Sequence, residues 1–437
     1  MSFGVWLYSL VIALARGIVT RNLFNATAAW KKPARVVSRK AIAASEPDVV
    51  GAVRALKIST PSESRVFGDA SDPEPAILNV TDENFFVRVA TRFDVGFGEA
   101  YLAGELESPD LLRVLIFLVH LRDTTRKLSK PQFDSAVLAT ISSVGRLHQV
   151  LQHLMRRNSV SNTRQNIAEH YDLGNEFYSL FLDSRTMAYS CALWDEQHNT
   201  LELAQANKIA RLASLLSLQE PGRVLEVGNG WGGLSLHLAK SGHHVTGLTL
   251  SSEQQRHVDQ LVRAHGVDDR VETLLADYRL HEPDELYDGI VSCEMLEAVG
   301  HEFLPAFFEN MNRMLATGGR LVLQVIITPD PRYERYKRLA DFIQLYVFPG
   351  GHCPSMNAIA AALEGTDLVI EHVHNIGPHY APTLKAWRDR FEAQLDQVRA
   401  QGFDERFIRL WRYYLIYCEA AFVTETMNVL HIVMRKH

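Results

Sequence analysis

A chain of 437 residues, 47% of them hydrophobic, has the length for about two or three domains and the apolar content for a large core. The formal net charge of −6 argues against nucleic acid as the default partner. The four cysteines, Cys191, Cys293, Cys353 and Cys418, lie far apart with no C-x-x-C pair, and no His or Cys spacing suits a metal, so a disulfide framework and a metal centre are both unexpected.

Residues 1–45 differ from all that follows. They hold seven basic residues, Arg16, Arg21, Lys31, Lys32, Arg35, Arg39 and Lys40, and no Asp or Glu. The apolar run Val5–Ala15 is shorter than the roughly 20 residues a membrane span needs, and no basic residue precedes it as in a secretory signal. Two readings stay open: an amphipathic segment on an anionic membrane surface of a cytoplasmic protein, and an organelle transit peptide. A solvated tail is the plain alternative.

Residues 46–150 form a smaller N-terminal α+β domain. The Ser-, Pro- and Asp-rich stretch Ser59–Pro75 reads as a loop, and Ile77–Val80 and Asn84–Val89 read as short strands. Leu111–Leu121 reads as a helix that is apolar on nearly every face, which makes it core or a contact with lipid or another subunit.

Residues 151–437 alternate strand and helix. Candidate strands are Arg223–Gly228, His244–Leu250, Arg270–Asp277, Tyr287–Cys293, Arg320–Thr328, Leu368–Ile376 and Met427–Arg435, which suits a doubly wound seven-stranded α/β sheet. Ahead of them, Asn166–Asn175 and Met187–Trp194 stand where a lid over a cofactor would sit. Pro329–Thr366 is an insertion over the pocket, with an aromatic-rich helix over Tyr333–Phe348. Apolar helices beside a cofactor pocket suggest a long, greasy substrate.

The first strand, Arg223-Val-Leu-Glu-Val-Gly-Asn-Gly-Trp-Gly-Gly233, runs into a glycine-rich turn. Gly228, Gly230 and Gly232 permit positive φ and close approach of a ligand, and the next helix offers free N–H groups. Dinucleotide enzymes share this device, but they place an acidic residue about 20 residues on. Here the second strand leads to Thr249-Leu-Ser-Ser-Glu-Gln254. With Glu226 in the first strand and Asp277-Tyr278 after the third, the pattern looks like the S-adenosylmethionine site of a class I methyltransferase.

Further motifs sharpen the resemblance: Tyr171-Asp-Leu-Gly-Asn175, Tyr189-Ser-Cys-Ala192, Val227–Gly233, Thr249–Gln255, Asp277-Tyr-Arg279, Val291-Ser-Cys-Glu-Met-Leu-Glu-Ala-Val-Gly300 and Tyr346-Val-Phe-Pro-Gly-Gly351. Over residues 80–437 the chain resembles the cyclopropane-fatty-acyl-phospholipid synthase family. The resemblance implies transfer of a methyl group from S-adenosylmethionine to a cis double bond of a phospholipid acyl chain, then loss of a proton to close a cyclopropane ring. It also implies peripheral contact with a membrane and leaves a homodimer open. Similar enzymes hold a bicarbonate ion as proton acceptor, and its ligands carry over to Cys191, Glu297, Gln324, Tyr380 and Ile326. Gln324 stands where many members have His, and it cannot take a proton near neutral pH, so bicarbonate would be the base. Asn229 stands where the turn usually has Cys. The cofactor contacts carry over to Tyr189, Ser190, Gly228, Gly230, Trp231, Gly232, Thr249, Ser251, Gln254, Asp277 and Tyr278, beside Glu226.

Each of these residues has a plainer reading. Cys191 is a buried hydrophobe by default, Tyr380 a core aromatic, and Glu294 and Glu297, three apart, solvated or capping charges. Three other functions share the fold: a methylene- or methyl-branching acyl methyltransferase, a small-molecule amine N-methyltransferase, and a lipid-binding module without catalysis. If residues 1–45 are the membrane anchor, deleting them will leave cofactor binding intact and weaken binding to anionic vesicles. The difference will shrink at high salt, because attraction of about 1 kcal/mol per basic residue near the surface is screened. Vesicle cosedimentation at two salt concentrations checks this, and equal binding by the truncated chain would favour the transit peptide.

Overall fold

The computed structural model describes residues 16–17, 19–21, 53–125, 173–338 and 340–437. Most of the basic arm, residues 1–45, and most of Asn166–Asn175 therefore lie outside the described residues. The chain divides into two compact units. One draws on Met1–Leu154, Leu339–Leu345 and Asp396–Thr424, the other on Met155–Arg338, Tyr346–Leu395 and Glu425–His437. Two stretches that sequence assigns to the C-terminal domain thus group with the N-terminal one.

The first unit contains a four-stranded sheet of β1 (Ala55–Ser59), β2 (Ser64–Gly68), β3 (Ala76–Val80) and β4 (Leu106–Glu107), in the order β2-β1-β3-β4. The stretch read as a loop from Ser59 therefore carries a strand: β2 pairs antiparallel with β1 across a tight turn. The expected strand Asn84–Val89 is instead the start of a helix, α1 (Asn84–Leu102). Phe85, Phe86 and Ala90 are its buried positions there, a helical and not an alternating spacing. Helix α1 kinks at Phe93, whose φ is 51°. Beyond the kink, Gly98 lets Phe342 and Tyr413 close in, since a Cβ there would lie 2.4 Å from the Phe342 ring. Helix α2 (Leu111–Thr125) packs on β3 and on helix α8 (Glu405–Val423), so its all-round apolar surface is core.

The second unit carries the seven-stranded sheet. Its strands are β5 (Arg223–Val227), β6 (His244–Thr249), β7 (Val271–Leu275), β8 (Tyr287–Cys293), β9 (Leu315–Ile327), β10 (Leu368–Asn375) and β11 (Asn428–Lys436). Each matches an expected strand, and the order is β10-β11-β9-β8-β5-β6-β7. Strand β11 runs antiparallel to both of its neighbours, while β7, β6, β5, β8 and β9 are parallel. Helices α3 (Leu201–Leu216), α4 (Gly233–Lys240) and α5 (Ser252–Ala264) contribute to the core that contains Val224, Val291 and Val322. Helix α6 (Leu304–Met314) contributes to a second core around Leu225, Ile290 and Leu323. Alternate strand residues thus enter different cores, as a sheet covered on both faces requires. Helix α7 (Tyr380–Ala393) follows β10.

The insertion after β9 does not form one helix over Tyr333–Phe348. It breaks into Asp330–Tyr336, Phe342–Tyr346 and Met356–Ala362, with the Asp341 carboxylate accepting the N–H of Gln344 to start the second.

Chain order changes direction between β5 and β8, and ligands bind at the carboxyl ends of strands beside such a switch point. The turn after β5 is built for this. Gly228 and Asn229 donate their N–H groups to Leu248 O, and Gly232, at φ 83°, begins α4. A Cβ on Gly232 would lie 2.9 Å from both γ carbons of Val258. We expect Gly232→Ala to cost about 1–2 kcal/mol from the backbone alone, and more from the overlap. Thermal unfolding of the two proteins checks this, and an unchanged midpoint would contradict it.

Candidate active site

A cavity opens at the carboxyl ends of β5, β6, β7 and β8. Glu226, Gly228, Gly230 and Trp231 line it from the first, Thr249 and Gln254 from the second, Asp277 and Tyr278 from the third and Glu294 from the fourth. Tyr189 and Ser190 line it from the segment before α3. Gly232 and Ser251 stand behind this wall and shape it: Gly232 begins α4, and the Ser251 hydroxyl caps α5 by accepting the Gln254 N–H.

Each lining group has a physical role. Gly230 has open space where a Cβ would stand, so backbone is what the cavity meets there. Thr249 donates its hydroxyl to Gln254 Oε1 at 2.8 Å, which turns the amide NH2 of Gln254 outward as a donor. Glu226 accepts from the Ser235 hydroxyl, and burial pushes its carboxyl up to about 7. Asp277 is gripped by Arg279 at 2.9 and 2.5 Å, which fixes its carboxylate and leaves lone pairs for another donor. Tyr278 packs edge-on against Phe307. Trp231 donates to Asn175 at 2.8 Å and packs on Tyr178, whose ring also meets Tyr189.

Beside this cleft the expected catalytic residues converge, but on a centre that the sequence reading passed over. Oε1 of Glu294 accepts the backbone N–H of Cys191 at 2.9 Å and an amide N–H of Gln324 at 2.8 Å. Its Oε2 accepts the Tyr380 hydroxyl at 2.7 Å. Three of the five groups assigned to bicarbonate therefore hold a carboxylate of the chain itself. The other two hold each other, since Ile326 donates its N–H to Glu297 Oε1. Among the described residues Glu297 Oε2 has no partner. These groups do not fit a bound bicarbonate, because the Cys191 N–H, the Gln324 amide and the Tyr380 hydroxyl already bond Glu294 and the Ile326 N–H bonds Glu297.

Strand register explains the convergence. Gln324 on β9 faces Cys293, the last residue of β8, on one side and His431 of β11 on the other. Glu294 comes next after Cys293 and takes a φ of 50°, a left-handed conformation rare for a side chain of its kind, which points to a functional constraint. Burial, and then the charge of Lys208, hold His431 down at about 3, so the ring is neutral at pH 7. Its Nε2 lies 2.8 Å from Gln324 Oε1 and must carry the proton, which fixes the amide with its NH2 toward Glu294.

Cys191 contributes its backbone. Its thiol is fully buried, lies within reach of the carbonyls of Ala192 and Ile376, and is pushed well up by burial, so it stays a thiol. Lys208 is a further residue that sequence reasoning missed. It is 3% exposed, lines the cavity and donates to the Ser190 hydroxyl at 2.8 Å. Its charge favours ionisation of both Glu226 and Glu294. The signal was there: Lys208 interrupts the buried stripe Leu201, Ala204, Ile209, Leu212 of α3. His301 and His352 both pair with the Tyr333 hydroxyl, at 2.8 and 2.9 Å.

Residues 158–432 match the family described as mycolic acid cyclopropane synthetase. The chain belongs to this family. It is 36% identical over 376 residues to a tuberculostearic acid methyltransferase of Mycobacterium tuberculosis, covering 84% of this chain and 85% of that one. It is 34% identical over 363 residues to the cyclopropane-fatty-acyl-phospholipid synthase of Escherichia coli, covering 83% and 88%. Among solved structures, a mycolic acid cyclopropane synthase bound to S-adenosylhomocysteine and CTAB superposes with a TM-score of 0.58 at 32% identity, over 62% of this chain and 98% of that one. A coclaurine N-methyltransferase gives 0.59 at 22% identity, over 78% and 99%, a likeness of fold. This cyclopropane synthetase relative is thus an S-adenosylmethionine-dependent methyltransferase. The glycine turn, Gln254 and Asp277 would hold the cofactor, which supplies a methyl group on a sulfonium.

Within the synthetase site, burial and then the neighbouring Glu294 push the Glu297 carboxyl up from 4.5 to about 8, so Glu297 is protonated at pH 7. The unfolded chain releases that proton near 4.5 while the folded chain keeps it. This stabilisation is therefore complete below pH 4.5 and is lost as pH rises to about 8. Glu297→Gln removes the titration, so its stability should fall less than the parent's between pH 5 and 8 in denaturant titrations. Parallel curves would contradict the assignment.

Proposed function

We propose that the enzyme transfers a methyl group from S-adenosylmethionine to the cis double bond of an unsaturated phospholipid acyl chain and forms a cyclopropane. The observation that carries this reading is an organised carboxylate, Glu294, opening into the methyl-donor cleft beside a wall of aromatic rings. An alkene is a weak nucleophile, and its methylation leaves a carbocation that needs π faces, a nearby anion and exclusion of water. Trp387 packs against both Tyr189 and Tyr380, with ring centroids 5.2 and 6.0 Å apart. Phe348, from the insertion, lies 6.3 Å from Tyr189. The phospholipid is supported by the name of the E. coli relative, and docking of the enzyme on the bilayer surface, as a monomer or homodimer, belongs to the same proposal. Among the described residues no helix is long and apolar enough to cross a membrane.

A methylene- or methyl-branched product is the second reading, favoured by the M. tuberculosis relative, which is named a methyltransferase and not a cyclopropane synthase. The methyl transfer is the same, and the two differ in where the proton is lost. Incubation with S-adenosylmethionine and vesicles of a cis-unsaturated phosphatidylglycerol, followed by mass spectrometry and proton NMR of the released acyl chains, tests both. Ring protons in place of vinyl protons support the cyclopropane, and retained or terminal vinyl signals support the branched product. Unmodified acyl chains would overturn both readings.

A further inference from the structure

We propose that Glu294 replaces the bicarbonate expected at this site and is itself the base that takes the proton after methyl transfer. This rests on the acyl-methylation reading above and deepens it. The geometry supports it in three ways. First, the three groups that bond Glu294, the Cys191 N–H, the Gln324 amide and the Tyr380 hydroxyl, are those assigned to the anion, and each acts as a donor to the carboxylate. Second, the hydrogen bonds are uneven. Oε1 accepts two and Oε2 accepts one, so Oε2 keeps a lone pair, and the side chain lines the cofactor cavity where the proton is to be lost. Third, the left-handed backbone at Glu294, φ 50°, is held by the Glu294 N–H donating to Gln324 O at 2.7 Å, so the strand pairing that places Gln324 also places its partner carboxylate.

The step balances. The π electrons of the alkene form the new carbon–methyl bond while the carbon–sulfur bond breaks, and its electron pair neutralises the sulfonium. The cation is left on the other alkene carbon. Oε2 of Glu294 then takes a proton from the transferred methyl group, and the electrons of that C–H bond close the ring onto the cationic carbon. Glu294 ends protonated and returns its proton to water when product leaves. Glu297 is held differently: none of the three donors to Glu294 reaches it, and it accepts the Ile326 N–H instead.

Two substitutions separate this from a bicarbonate mechanism. Glu294→Gly suits the left-handed backbone and empties the cradle, leaving three donors facing a space for a small anion. Glu294→Gln fills the same space with no base. In carbonate-free buffer, with S-adenosylmethionine and unsaturated phosphatidylglycerol vesicles, the parent enzyme should run at the same rate with or without added bicarbonate. Both variants should lose about a hundredfold or more in turnover while binding the cofactor. Added bicarbonate should restore turnover to Glu294→Gly and not to Glu294→Gln. NMR of isotope-labelled bicarbonate should show binding to Glu294→Gly and not to the parent. A parent enzyme that needs bicarbonate, or a Glu294→Gln variant near the parent's rate, would overturn the inference and leave the acyl-methylation reading standing. A parent that modifies no acyl chain even with bicarbonate would overturn both.

Discussion

The site depends on one buried carboxyl, Glu294, and on the three donors that converge on it. Burial pushes the Glu294 carboxyl up, and three hydrogen bonds and then the charge of Lys208 pull it part of the way back. Each donor is placed by a different part of the sheet's edge: the Cys191 N–H by the segment before α3, Gln324 by β9 and Tyr380 by the first residue of α7. Glu297, three residues along, accepts only the Ile326 N–H, and burial and then Glu294 push its carboxyl up to about 8. Two carboxyls three residues apart thus have different hydrogen-bond partners, the kind of difference by which neighbouring acids acquire separate roles.

Most of the fold was legible because it is written in patterns of short range. Apolar runs bounded by turn residues gave all seven strands of the main sheet, and the glycines after β5 announced the cofactor turn. What failed was decided by tertiary contacts. Asn84–Val89 looks like a strand from its apolar pairs, yet Phe85, Phe86 and Ala90 are buried as one helical face. The helix expected over Tyr333–Phe348 breaks where Asp341 caps a new turn.

The candidate site was legible as a set of residues but not as an arrangement. Cys191, Gln324, Tyr380, Ile326 and Glu297 do lie together, as the family resemblance implies. That resemblance assigned no role to Glu294, because the bond from Gln324 to its carboxylate is visible only once β8 and β9 are in register. Lys208 and His431 escaped for a related reason: a lone polar residue on a buried face is ambiguous until its neighbours across the sheet are known.

The antiparallel strand β11 carries one more consequence. It is inserted between β10 and β9, and its nine residues, Asn428–Lys436, follow the other six strands of the sheet in sequence. Through His431 they lock the amide that holds Glu294. During synthesis, therefore, the glycine turn after β5 emerges well before the strand that orients the Gln324 amide toward Glu294. The glycine turn can therefore form from a contiguous stretch of chain, whereas the Gln324 amide is oriented only once β11 has threaded between β9 and β10.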